Sequence, residues 1–138
     1  TTYAQQSGLL VARQYVSSGK MDAAKTALSW VAQQSSDTGY QAVAKLRLAA
    51  ILMEAKDLDG AATQLSGSFP ASFEALVADR KGDLMVLKAD KVQARAEYEK
   101  AYRLLDANAP YRRLVEVKLN ALGVDAQAGV QVAKASSQ

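Results

Sequence analysis

The chain has 138 residues, 49% of them hydrophobic and 22% charged, with a formal net charge of +3. That length suits one ordinary domain burying about two-thirds of its unfolded surface, and no apolar run of about eighteen residues is present to span a membrane. Histidine and cysteine are absent, which removes the commonest general base, the thiol nucleophile, disulfides and most transition-metal ligand sets.

The chain opens on Thr1 rather than Met, which points to a processed chain or fragment with a signal or anchor removed. Turn-forming breaks fall at SSGKMD from Ser17, QSSDTG from Gln34, AKDLDG from Ala55, SGSFPAS from Ser66, KADK from Lys88 and DANAP from Asp106. The stretches between them are rich in Ala, Leu, Gln, Lys and Glu, all good helix formers. Helices are therefore expected near 3–17, 21–34, 39–55, 58–66, 71–88, 91–106 and 110–122. Residues 1–123 form the expected domain, and 124–138 a weakly patterned tail.

The first, third and fifth helices each run into a short break and then a helix with alanine near its first turn. Ala24, Ala61 and Ala94 align, spaced 37 and 33 residues apart, close to the 34-residue tetratricopeptide period. In the best-formed unit Gly82, Ala94, Tyr98 and Ala101 supply small, small, large and small side chains where two antiparallel helices must approach closely. A mid-helix glycine costs about 1 kcal/mol against alanine, so Gly82 is read as a packing residue, not as part of a phosphate loop. The helix after Pro110 reads as a polar-faced cap. The expected fold is all-α, a tetratricopeptide-like solenoid of about three helical hairpins plus that C-terminal capping helix.

Candidate chemistry is sparse. The pairs Asp57/Asp59 and Asp79/Asp83 read as turn caps and surface ion pairs, and Arg112 and Arg113 as a solvated helix face. Because Asp79, Arg80, Lys81 and Asp83 alternate in sign, nucleic acid is not an expected partner. No cofactor, metal site or catalytic residue is expected. Helix phase places Leu9, Val16, Val43, Leu46, Met53, Leu76, Val86 and Leu87 on or beside an apolar groove, the candidate partner surface. The competing reading makes these residues core. Trp30 reads as core between hairpins, and Phe73 as a staple at the entry of the third hairpin.

The segment FEALVADRKGDLMVLKADKVQARAEYEKAYRLL, followed by LVEVKLNALG, resembles the periplasmic domain of the ancillary SecYEG translocon subunit family. The matching positions are Phe73, Leu76, Gly82, Asp83, Asp90, Ala94, Arg95, Tyr98 and Ala101, then Lys118, Leu119, Asn120 and Leu122. AKLRLAAILMEAKDLDGAATQL, from Ala44, fits the preceding hairpin of that family. Ala89 stands where the family usually has glycine. The resemblance implies a bacterial inner-membrane protein with one transmembrane anchor and this domain in the periplasm. It implies association with SecYEG and the membrane-anchored chaperone PpiD, passage of nascent secretory proteins to periplasmic chaperones, and no catalytic residue. The alternative is a structural, self-associating envelope scaffold, as in the related cell-division coordinators, with the groove filled internally.

Overall fold

The computed structural model describes residues 2–123, which hold seven α-helices, one 3₁₀ turn and no strand. The architecture is all-α and tetratricopeptide-like. The expected tail, 124–138, lies outside the described residues. The chain divides into two compact units, Thr1–Phe73 and Glu74–Gln138.

The first unit comprises α1 (Thr2–Ser17), α2 (Met21–Gln34), α3 (Thr38–Glu54), α4 (Leu58–Leu65) and a 3₁₀ turn at Ala71–Phe73. The Asp37 carboxylate starts α3 by accepting from the amides of Gly39 at 2.8 Å and Tyr40 at 3.1 Å, and Asp57 starts α4 by accepting from Gly60 at 3.0 Å; both satisfy amides that the first helical turn leaves without partners. Its main core joins Ala12, Ala24, Leu28, Val31, Ala44, Leu48 and Ile51, with Leu9 and Tyr15 packed against them.

The second unit comprises α5 (Glu74–Leu87), α6 (Lys91–Leu104) and α7 (Pro110–Ala121). The helix expected over 71–88 thus begins as the separate 3₁₀ turn, because the Phe73 amide bonds the Pro70 carbonyl three residues back. The core joins Ala78, Ala94, Tyr98, Ala101, Tyr102, Val115 and Leu119. The last two anchor α7 from the inside, while Leu114 and Val117 leave its outer side partly apolar and exposed.

One turn recurs after α1, α3 and α5. Gly19, Lys56 and Ala89 adopt φ of +75°, +64° and +58°. The next amide, of Lys20, Asp57 or Asp90, reaches back to the carbonyl of Tyr15, Leu52 or Met85 at 2.8 to 2.9 Å. This left-handed cap closes one helix, and in the last two cases the same aspartate then caps the helix that follows. A side chain in the left-handed region costs about 1–2 kcal/mol, a cost that Gly19 avoids and that Lys56 and Ala89 bear.

Candidate functional site

The chemistry-bearing side chains gather inside the second unit. On α5, Asp79, Gly82 and Asp83 share one helical face. A methyl group built on Gly82 would stand 2.4 Å from two atoms of the Tyr98 ring, so only glycine lets α6 bring that ring so near. Seated there, the Tyr98 hydroxyl donates to Asp83 at 2.6 Å.

From α7, Lys118 reaches both carboxylates, at 3.0 and 3.1 Å to the two oxygens of Asp79 and 3.0 and 3.3 Å to those of Asp83. Two turns earlier on the same helix, the Tyr111 hydroxyl donates to Asp79. Arg80 completes the rim, 3.5 Å from Asp83. Asp79 is fully buried, contrary to its reading as a surface ion-pair member. Its cation lies 39 residues further along the chain, beyond the reach of any pattern within one helix.

Burial, followed by hydrogen bonding to a carboxylate, pushes both the Tyr98 and Tyr111 hydroxyls above the ordinary tyrosine range. Both therefore remain protonated donors at neutral pH. Two carboxylates, one ammonium, one guanidinium and two phenols satisfy one another, leaving Asp79 no open side for a substrate. The cluster locks α7 to α5 and α6. Gly82, Asp83, Tyr98 and Lys118 all belong to the motif that carried the family resemblance; Asp79 and Tyr111 were not foreseen. Among the described residues no group of three or more Asp or Glu could hold a metal ion.

The remaining repeat positions, Ala24, Ala61, Ala94 and Ala101, are fully buried. The groove set divides. In the first unit Val16 is exposed, Leu9 and Val43 are half-buried, and Leu46 and Met53 are buried. In the second, Val86 and Leu87 are exposed and Leu76 is half-buried. Leu46 and Met53 depart from the expected groove because α3 also buries Ala42, Ala44, Leu48, Ala49 and Ile51, and a helix apolar on nearly every side offers no single face to read. Trp30 is 46% exposed rather than core, with its ring over Gly8. Arg112 is no free surface charge, since its guanidinium stacks 3.9 Å from the Tyr102 ring centroid and donates to the Tyr102 carbonyl.

The profile of the tetratricopeptide repeat-like domain family matches residues 1–124. The chain is 28% identical over 123 residues to the ancillary SecYEG translocon subunit of Escherichia coli, covering 89% of this chain and 59% of that protein. It is 29% identical over 119 residues to the protein of the same name from Neisseria gonorrhoeae, covering 86% and 57%. To that of Haemophilus influenzae it is 30% identical over 122 residues, covering 88% and 59%. The chain thus spans less than two-thirds of the length of the curated relatives it matches. No solved structure matches significantly.

Proposed function

Because the chain belongs to the tetratricopeptide repeat-like domain family, we propose that it is a non-enzymatic protein-interaction module of a membrane-linked ancillary subunit of the SecYEG translocon. The observation that carries this reading is its likeness, along nearly nine-tenths of its length, to proteins bearing that name. The self-satisfied polar cluster supports a module that binds rather than turns over substrate. No helix among the described residues is long and apolar enough to cross a membrane.

The finer reading places the module in the periplasm, where it contacts PpiD and emerging secretory chains. Its working surfaces are the accessible members of the groove set taken unit by unit, Val16 in the first unit and Val86 with Leu87 in the second, where binding would remove aliphatic surface from water at about 25 cal/mol per Å² before ordering costs.

The test is co-purification of SecYEG and PpiD from detergent-solubilised bacterial membranes with the full-length anchored protein. A variant carrying Val16→Asp, Val86→Asp and Leu87→Asp is run beside it, with helicity checked by circular dichroism. Capture by the parent and a loss of about tenfold in the folded variant is the expected result. Failure of the parent to capture SecYEG would overturn the translocon reading. Undiminished capture by the folded variant would move the working surface elsewhere.

A further inference from the structure

A cleft of about 390 Å³ opens in the first unit between α3 and the segment that follows α4. Thr38, Gln41, Ala42 and Lys45 form one wall, a single stripe of α3 at three- and four-residue spacing. Ser68, Phe69 and Pro70 form the other.

The walls have one chemical character. Lys45 has no carboxylate partner among the described residues; its ammonium stands 5.4 Å from the centroid of the Phe69 ring. The acid nearest in sequence, Asp37, is engaged by the amides of Gly39 and Tyr40. Gln41 is held in place by donating to the Ser35 carbonyl. The Thr38 and Ser68 hydroxyls make no side-chain hydrogen bond among the described residues and line the same space. Donors thus face an apolar surface of Ala42, Phe69 and Pro70, with no acid between them.

We infer that this cleft binds an extended peptide segment carrying a carboxylate side chain next to an aliphatic or aromatic one. The carboxylate takes the Lys45 ammonium and the hydroxyls, and the apolar neighbour lies on Phe69 and Pro70. A charge-assisted hydrogen bond outweighs a partly exposed cation–π contact, so the ligand displaces the Phe69 ring as the partner of Lys45. The volume admits a side chain and a little backbone, not a folded surface, and a small free acid would leave the apolar wall wet. This inference rests on the interaction-module reading and names the chemistry of one of its ligands.

The test is a titration of the ¹⁵N-labelled 138-residue chain with acetyl-Ala-Phe-Glu-Leu-Ala amide, followed by backbone amide shifts. The expected result is saturable shifts confined to residues 38–45 and 66–70. Affinity should fall about tenfold when Gln replaces Glu in the peptide or when Lys45→Gln is introduced, and change less than about threefold in Lys45→Arg. Equal binding of the Gln peptide, shifts located elsewhere, or no shift at about 5 mM peptide, far weaker than ordinary recognition, would overturn the inference. SecYEG capture separates the two levels. Peptide binding without capture leaves the cleft and removes the translocon reading, whereas capture without peptide binding does the reverse.

Discussion

In the first unit the fully buried side chains are aliphatic or neutral, with Gln5 and Ser35 the buried polar residues among them, whereas the second unit buries the charged Asp79 beneath Lys118 and Tyr111. Aliphatic packing is tolerant, since volume can be redistributed at modest cost. A buried ion pair is not tolerant, because removing one partner strands the other. The second unit therefore fixes the placement of α7 by charge, and the residues that mark the family serve that placement.

The largest expected effect comes from breaking the lock. Lys118→Met leaves Asp79 buried without its cation and should destabilise the second unit by about 3–5 kcal/mol in chemical denaturation. Adding Asp79→Leu should recover part of that loss, because no buried charge then remains. Additive losses would show that the two residues are not coupled.

Next comes a pair of mid-helix glycines, one in each unit. An alanine methyl at Gly82 meets the Tyr98 ring at 2.4 Å, while at Gly8 it meets the single Val31 Cγ2 at 2.7 Å. Overpacking against a ring tied to Asp83 should outweigh the helix-propensity gain, so Gly82→Ala is expected to cost about 2 kcal/mol. Gly8→Ala meets one methyl of a buried valine rather than a ring, and the helix-propensity gain offsets part of that overpacking, so it should cost about 1 kcal/mol, less than Gly82→Ala.

The tyrosines set a pH limit on the same lock. Both are raised above their ordinary value of 10.0, so the folded chain holds the phenolic protons more tightly than the unfolded chain. Stability from this source is complete below about pH 10 and is lost as the pH rises beyond it. Melting temperature should drop steeply above pH 10 in the parent, and less steeply when Tyr98→Phe and Tyr111→Phe are combined. At neutral pH each single substitution should cost about 1–2 kcal/mol.

The smallest effect contrasts two left-handed turns. Gly19 occupies its turn freely, while Ala89 holds φ +58° with a methyl group in place. Ala89→Gly should stabilise the chain by up to about 1 kcal/mol, relief of strain being offset by the greater entropy of unfolded glycine.

Helix positions were legible because breakers separate strong helix formers, and Gly82, Ala94, Tyr98 and Ala101 because close helix contact demands small residues at fixed spacing. The ionic lock was not. Asp79 sits beside Arg80 and Lys81, so local charge pattern offers it nearby partners, and nothing within one helix points to Lys118. The groove was legible only in part, since Leu46 and Met53 lie on a helix buried on several sides. Val16, Val86 and Leu87 lie in the last turns of their helices and are exposed. The cleft beside Lys45 left no mark in the sequence, because its second wall is a segment without helical period.

The most direct test of the claim that the motif residues build the fold rather than the binding surface is SecYEG capture by full-length protein carrying Tyr98→Phe, measured well below its melting temperature. The account predicts capture equal to the parent alongside lowered melting. Capture lost while melting stays at the parent value would place Tyr98 in the binding surface and contradict it.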